Sequence, residues 1–224
     1  PSAPLSSCAG ASVGDKGQGD GNPVENNVFM GNGKDHTGGI RVINRDQTIR
    51  NNYLEGLRGT GFASALTVMN GVPNSPVNRY VQVDNAVIEN NSVVDSSRIT
   101  FAAGADAERS AAPVNSRFRN NLLGGTDSGP LLKIQDDISG IAFSGNMLVS
   151  GKIDRPVAGI AEGQLVLARA ENGLLYPEGS AVGVSRNLVP VARDQVGVSW
   201  YPRPLTGDRF GTGRAMSVQP GEDT

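Results

Sequence analysis

One short phrase recurs five times in this chain and limits the folds open to it more than any other feature. Each copy has an apolar residue, a polar residue, an asparagine or glycine, a second asparagine, a variable residue and another apolar residue. The copies begin at Val24, Ile49, Ile88, Phe118 and Phe143. Successive copies lie 25, 39, 30 and 25 residues apart, which is a base period with two insertions. Such a period is typical of solenoid proteins.

The pattern inside each copy selects the kind of solenoid. The phrase is too short for a helix, and asparagine accepts the left-handed backbone conformation found at turns, so each copy predicts a strand, a sharp bend and another strand. Stacked asparagine amides can hydrogen-bond along the solenoid axis. Leucine-rich repeats share such ladders, but their L-x-x-L-x-L frame is missing here. We therefore expect a parallel β-helix in which the first residues of the five copies point inward. The second asparagines should line up at one corner, at Asn27, Asn52, Asn91, Asn121 and Asn146.

Composition agrees with an all-β chain and excludes several functions. The 30 glycines and 13 prolines, with only 5% aromatic residues, argue against a helical bundle. No apolar run approaches the ~20 residues of a membrane-spanning helix, and a formal charge of −2 gives no basic field for nucleic acid. One cysteine, Cys8, and one histidine, His36, leave no structural zinc site. The N-terminus has no signal-peptide pattern.

The residue composition and the repeat divide the chain into three regions. Residues 1–22 are small and polar, and we expect an irregular arm. Residues 23–155 hold the repeats, and residues 156–224 should form a tail that packs on the coil or over its open end. The 39-residue interval contains a segment rich in proline, glycine and asparagine at 69–78, which must leave the coil as a loop. Insertions collected on one face of a solenoid commonly build its binding surface.

A resemblance to a known family rests on six segments taken in order. They are Glu25-Asn26-Asn27, Gly38-Gly39-Ile40-Arg41-Val42, Asn51-Asn52-Tyr53-Leu54-Glu55-Gly56, Pro73-Asn74-Ser75-Pro76 with Asn78-Arg79-Tyr80, Gly173-Leu174-Leu175-Tyr176-Pro177 and Ser199-Trp200-Tyr201-Pro202. With these segments the chain resembles polysaccharide lyase family six, the alginate lyase and chondroitinase B group, over about residues 20–203. The resemblance implies a right-handed parallel β-helix of which this chain is the C-terminal portion, with N-terminal rungs missing. It also implies cleavage of alginate or a related uronan by β-elimination.

The family resemblance also implies a catalytic set that this sequence does not supply. In the family, calcium and arginine neutralise the substrate carboxylate, a lysine is the base, and an arginine in a Leu-Arg-x-Gly segment serves the leaving group. The corresponding segment here is Lys16-Gly17-Gln18-Gly19, so glycine stands at the arginine position. The lysine and the calcium ligands would lie before Pro1, and no metal ligand is identified in this chain. The resemblance further implies a secreted or periplasmic protein.

Six residues are candidates for contact with an acidic polysaccharide. Arg41 follows a Gly-Gly pair at which a polymer could approach the backbone closely, although a solvated arginine is an equal alternative. Lys34 and His36 lie in the preceding loop, where a cation is more often simply solvated. The remaining three candidates, in the two insertions, are Arg79, Tyr80 and Arg109.

Each insertion candidate has a structural alternative. Arg79 and Tyr80 pair an arginine with an aromatic face, but they can equally anchor their loop, with Tyr80 packed inward. Arg109 can contact a sugar or pair with Asp106 or Glu108. The acidic residues Glu25, Glu55, Glu89, Asp136 and Asp137 are more often solvated than calcium-binding in such positions.

Three functions remain open from sequence. The chain is an incomplete uronan lyase, a uronan-binding β-helix without catalysis, or a purely structural solenoid. Because losing one member of a cooperating catalytic set removes most of the rate, the first expectation is little or no elimination activity.

Overall fold

The chain folds into a parallel β-helix, as the repeat predicts. The computed structural model describes residues 11–13, 19–76, 79–163, 166–169, 173–177, 199–201 and 214–216. Three parallel sheets, which we name A, B and C, run along the coil, and one rung passes through B, C and A in turn. Sheet A contains β1 (Ala11–Val13), β4 (Ile40–Val42), β7 (Leu66–Met69), β10 (Ile99–Ala103), β13 (Pro130–Ile134) and β16 (Lys152–Ile153). Sheet B contains β2 (Pro23–Glu25), β5 (Thr48–Arg50), β8 (Val87–Glu89), β11 (Ser116–Arg119) and β14 (Ile141–Ser144). Sheet C contains β3 (Val28–Met30), β6 (Tyr53–Glu55), β9 (Ser92–Ser96), β12 (Leu122–Gly125), β15 (Asn146–Ser150) and β17 (Ile160–Glu162).

The apolar residues that begin the five copies form one inward row, as expected. They are in register from each strand of sheet B to the next: Val24, Ile49, Ile88, Phe118 and Phe143. The three middle members are at most 2% exposed, and the two outer ones pack on the same core cluster. Near the C-terminal rungs, Phe118 and Phe143 meet Phe101 with ring centroids 5.1 Å and 5.2 Å from that ring. These aromatic contacts fill the interior where the rungs carry larger side chains.

The corner between sheets B and C is built by the two asparagine positions. The first takes a left-handed backbone, with φ of 59°, 53°, 55° and 53° at Asn26, Asn51, Asn90 and Asn120. The fifth copy has glycine at this position, Gly145, with φ of 63°. The second asparagines form the expected ladder, with Nδ2 to Oδ1 distances of 3.1, 3.0, 3.0 and 2.9 Å from one rung to the next. The repeat therefore encodes both the bend and the hydrogen bonds that stack it.

The outer surface of sheet B carries a row of alternating charges. Glu25, Arg50, Glu89 and Arg119 occupy equivalent positions in successive strands. Arg50 pairs with Glu25 at 2.7 Å, and Arg119 pairs with Glu89 at 2.7 Å. Since opposite charges face each other directly across neighbouring strands, this row favours the observed register.

Strands also occur outside the region predicted to hold the rungs. Ala11–Val13, within the expected irregular arm, pairs in parallel with β4, and Ile160–Glu162 extends sheet C beyond residue 155. Two antiparallel pairs follow: β18 (Leu167–Arg169) with β19 (Leu175–Pro177), and β20 (Ser199–Tyr201) with β21 (Arg214–Met216). Within the described ranges, no helix is long and apolar enough to cross a membrane.

The hairpin formed by β18 and β19 lies against the outer face of sheet C. Leu167, Leu174 and Leu175 join a cluster that includes Tyr53. The Tyr53 hydroxyl donates to Glu55 Oε2 at 2.5 Å and accepts the Leu175 N–H at 2.8 Å. Arg169 then donates to Glu55 Oε1 at 2.6 Å. Burial first, and the bond to Glu55 second, raise the pKa of Tyr53 well above its usual range.

Candidate functional site

The outer face of sheet A carries a polar row that includes Arg41. The register aligns Arg41, Thr67, Thr100 and Lys133 on successive strands. A short 3-10 helix, Gly61–Ala63, covers the two threonines, which are fully buried. Thr67 donates to the Gly61 carbonyl at 3.2 Å, and the hydroxyls of Ser64 and Thr100 are 2.7 Å apart. The helix is therefore fixed to the sheet, and its middle residue, Phe62, remains 44% exposed.

Arg41 is held beside this exposed phenylalanine. Its Nε and one terminal nitrogen donate to the Phe62 carbonyl at 3.0 Å and 2.7 Å, and its guanidinium carbon is 5.8 Å from the ring centroid. Gly38 and Gly39 have a different role from the one expected from the sequence, which was to let a polymer approach the backbone closely. A Cβ on Gly39 would lie 2.1 Å from the Ala65 carbonyl oxygen, and one on Gly38 would lie 3.0 Å from that of Ala63. The Gly-Gly pair is required because the chain's own backbone passes over it.

Arg109 approaches the same ring from the neighbouring insertion. Its guanidinium carbon is 6.0 Å from the Phe62 centroid, and its Nε donates to the Gly104 carbonyl at 2.6 Å. It also pairs with Asp106, which is one of the alternatives foreseen from sequence. Hydrogen bonds from the backbone N–H of Arg109 and then Glu108, with the guanidinium charge, lower the pKa of Asp106. We call Arg41, Phe62 and Arg109 the arginine–phenylalanine cluster.

The other two insertion candidates anchor loops. Arg79 pairs with Glu108 at 2.7 Å, which ties the first insertion to the second. An antiparallel bridge between Gly71 and Ala111 joins the same two insertions. Tyr80 packs on the small apolar cluster of Ile43, Met69 and Ala103, as its structural alternative predicted. Neither side chain has a contact with the arginine–phenylalanine cluster among the described interactions.

Lys34 and His36 lie in the loop between β3 and β4. Both residues are exposed. The loop is fixed by Thr37, whose hydroxyl donates to the Lys34 carbonyl at 2.7 Å and accepts the Arg58 N–H at 2.9 Å. The backbone of this loop is therefore constrained, while the side chains of Lys34 and His36 remain available to a ligand. No described contact joins these two side chains to the arginine–phenylalanine cluster.

The acidic residues do not gather into a metal site. Within the described part of the chain, no group of three or more His, Cys, Asp or Glu side chains could hold a metal ion. Glu25, Glu89 and Glu55 are each paired with an arginine instead. Asp136 accepts a bond from the Asn70 amide at 2.7 Å, and Asp137 accepts one from the Ser139 N–H at 2.8 Å. The described residues therefore do not fit the calcium site of the resembled family.

The arginine–phenylalanine cluster suits one kind of ligand. Exposed aromatic rings pack on the apolar faces of sugars, and guanidinium groups bind carboxylates through paired hydrogen bonds. Sequence reasoning selected Arg41 and Arg109 but missed Phe62. The available signal was a single aromatic residue within Gly59-Thr60-Gly61-Phe62, a glycine-rich stretch outside the repeat. Lys16 and Gly17, at the expected leaving-group position, lie outside the described residues.

Comparisons with known proteins agree on one family. The chondroitinase B family model matches residues 7–186. The solved structure of the PL6 family alginate lyase AlyGC is 54% identical and covers 84% of this chain and 26% of that chain, with a TM-score of 0.70. An arginine-to-alanine variant of AlyGC is 58% identical over 73% of this chain and 22% of that chain, with a TM-score of 0.69.

A more distant solved structure is also similar. It is a mannuronic acid specific polysaccharide family 6 lyase from human gut microbiota, 26% identical over 66% of this chain and 36% of that chain, with a TM-score of 0.57. No curated protein matches the chain. The chain spans about a quarter of the length of AlyGC.

Proposed function

The chain belongs to polysaccharide lyase family six, the chondroitinase B and alginate lyase family, and we propose from this premise that it binds an acidic polysaccharide of the alginate type. The binding face is the outer surface of sheet A at the arginine–phenylalanine cluster. Polymeric substrates of this kind are met outside the cytoplasm, so the proposal includes a secreted or periplasmic location.

One observation carries this proposal. The guanidinium groups of Arg41 and Arg109 lie 5.8 Å and 6.0 Å from the centroid of the exposed Phe62 ring. A uronate residue has an apolar ring face and a carboxylate on the same sugar, and this pair of features matches the cluster. The hydrogen bonds of Arg41 to the Phe62 carbonyl fix the guanidinium before any ligand arrives, which lowers the entropic cost of binding.

The same face accounts for only one part of β-elimination. The reaction requires neutralisation of the substrate carboxylate, a base for the neighbouring proton, and an acid for the departing sugar oxygen. Arg41 can contribute to neutralisation. The glycine at position 17 cannot act on the leaving group, and the described acidic side chains do not form a calcium site. We therefore propose that residues 1–224 bind uronan and give little or no elimination without further catalytic residues.

A structural role is the second candidate. It is favoured by the ion pairs of Arg79 with Glu108 and of Arg109 with Asp106, since both arginines also stabilise loops. Such a role predicts that the cluster has no affinity for sugars.

Oligomers of mannuronate and guluronate, titrated into the protein in a calorimeter, separate these functions. We expect weak binding that decreases with added salt, because exposed ion pairs are screened. Phe62→Ala should weaken binding about tenfold, which corresponds to about 1.4 kcal/mol. The matched control is Arg117→Gln, which removes an exposed arginine from sheet B and should leave binding unchanged.

Elimination is followed separately by the ultraviolet absorbance of the unsaturated product. Robust elimination by residues 1–224 would show that a complete catalytic set is present, and Lys34 and His36 would then be mutated first. Absence of both binding and elimination would leave the structural role.

A further inference from the structure

The outer face of sheet A holds two threonines that solvent does not reach. Thr67 and Thr100 occupy equivalent outward positions on β7 and β10, and both are fully buried. Arg41 and Lys133, at the equivalent positions of the strands on either side, are partly exposed. A buried hydroxyl is unfavourable unless it forms a hydrogen bond, and valine has nearly the same shape without that requirement. The hydrogen bonds of the two hydroxyls are therefore what distinguishes threonine from valine here.

The hydroxyls of both threonines lead to one backbone carbonyl. Thr67 donates to the Gly61 carbonyl directly, at 3.2 Å, and Ser64 donates to it at 2.9 Å. The hydroxyl oxygens of Ser64 and Thr100 are 2.7 Å apart. A hydroxyl has a single proton, and that of Ser64 is directed at Gly61, so Thr100 is the donor of this pair. Thr100 thus acts on the Gly61 carbonyl through Ser64, and its hydroxyl has no other described partner.

The carbonyl of Gly61 belongs to the peptide group that leads into Phe62. Because a peptide group is planar, fixing this carbonyl also fixes the direction in which the chain enters Phe62. The 3-10 helix has little else to hold it, since none of its residues is buried and Thr60 forms no side-chain cap at its beginning. Gly61 has a φ of 58° and open space where a side chain would lie. Without the hydroxyls, this glycine would leave the turn free to take other conformations.

The next peptide group along the chain is held by Arg41. The Phe62 carbonyl accepts two hydrogen bonds from the guanidinium, at 3.0 Å and 2.7 Å. The two peptide groups that flank Phe62 are therefore both attached to sheet A, one through hydroxyls and one through a guanidinium. This double attachment keeps a large apolar ring 44% exposed, although its burial would be favourable.

We propose that Thr67, Ser64 and Thr100 are positioning residues of the sugar-binding face. Their hydroxyls hold the Phe62 ring in the place at which it receives the apolar face of a sugar, a role that rests on the proposed function of the arginine–phenylalanine cluster. The three hydroxyls do not touch a ligand, because these residues are at most 2% exposed. They act on affinity through the position of Phe62, and this preorganisation reduces the ordering cost of binding.

A purely structural role for these hydroxyls gives a different expectation. Hydrogen bonds that only stabilise the coil would, when removed, lower the free energy of unfolding and leave the affinity of the folded protein unchanged. The affinity for sugars and the local opening of the 3-10 helix therefore separate the two roles.

Thr100→Val removes the first donor of the chain of hydroxyls, and Thr100→Ser retains it. Calorimetric titration with oligomers of mannuronate and guluronate should show about fivefold weaker binding by Thr100→Val, which corresponds to the loss of about one hydrogen bond. Thr100→Ser should restore the affinity of the unaltered protein. In a Phe62→Ala background, Thr100→Val should have little further effect, because the ring that the hydroxyl positions is gone. An equal loss in both backgrounds, or no loss in either, would overturn the positioning role.

Hydrogen exchange gives a readout that requires no ligand. In the full chain, mass spectrometry should show faster exchange of the Ala63 and Ser64 amides in Thr100→Val than in Thr100→Ser, with no change in the remaining rungs. Thr67→Val, which removes the direct donor, should act in the same way. The matched control, Thr48→Val, changes a partly buried threonine of sheet B and should alter neither this exchange nor sugar binding.

The two readouts distinguish failure of the positioning role from failure of the proposed function. Unchanged exchange in both Thr100→Val and Thr67→Val would overturn the positioning role, whatever the affinity for sugars. If the unaltered protein binds no oligomer while Thr100→Val exchanges faster, the proposed function is wrong, and the hydroxyls hold the 3-10 helix without serving a sugar site.

Discussion

Replacement of Asn91 by alanine tests the ladder at its centre. The Asn91 side chain takes part in four hydrogen bonds: two accepted from Asn52, one donated to the Ile49 carbonyl and one donated to Asn121 Oδ1. Asn91 is 3% exposed and Asn52 is fully buried, so water cannot replace these bonds without a rearrangement of the corner.

The expected loss of unfolding free energy depends on which hydrogen bonds the partners of Asn91 keep in the variant. The Asn52 backbone N–H has no other described acceptor, and an orphaned buried donor costs about 1–3 kcal/mol. The Asn52 amide keeps the Val24 carbonyl, and Asn121 Oδ1 keeps the Asn91 backbone N–H, so the remaining losses are smaller. We expect Asn91→Ala to lower the unfolding free energy by about 2–4 kcal/mol in total.

Urea unfolding of Asn91→Ala and Asn27→Ala measures this difference. Asn27 is the matched control because its exposed side chain donates only to the Glu25 carbonyl and to an oxygen that keeps a second donor, so its loss should cost less than about 1 kcal/mol. The m-value should be compared as well, because solenoids can unfold in parts. If the two variants lose equal stability, the buried ladder does not stabilise the coil and the reasoning is wrong.

Three further predictions concern the core and the hairpin. Phe118→Ala should lower the unfolding free energy by about 3–5 kcal/mol in urea titrations, because it empties a fully buried aromatic site. Stability should fall as pH rises above about 10, by up to about 1.4 kcal/mol per pH unit, because the raised pKa of Tyr53 keeps a proton on the folded state that the unfolded chain releases. Tyr53→Phe should remove this part of the decline. Arg169→Gln, by breaking the pair with Glu55, should accelerate hydrogen exchange of the Leu175 amide in mass spectrometry.

The coil could be predicted because each rung repeats the same physical requirement. An inward apolar residue, a left-handed corner and a stacked amide recur in one phrase, so Val24, Asn26 and Asn27 identify their equivalents in every rung. The strand Ala11–Val13 could not be predicted in this way, because it pairs with β4 outside any copy of the phrase. Its pairing depends on the coil already being present.

The site was predicted less well because it consists of contacts between non-repeating segments. Arg41 was selected for a glycine pair that in fact accommodates the chain's own Ala65 backbone. Phe62 was missed because its exposure results from the packing of a short helix over two threonines, which the linear sequence does not display. Arg109 forms an ion pair with Asp106 and also lies beside the Phe62 ring. Neither of its two sequence-based alternatives, contact with a sugar or an ion pair, therefore describes it alone.

The hairpin on sheet C changes how the whole coil is expected to unfold. A stack of rungs with only nearest-neighbour contacts behaves like a one-dimensional chain, which can fray from either end one rung at a time. The apolar cluster beneath the hairpin takes Met30, Tyr53, Val94, Leu122 and Val149, one side chain from each of the five rungs. Loss of any rung therefore disturbs a surface shared by all of them, and the hairpin converts separate rungs into one cooperative unfolding unit.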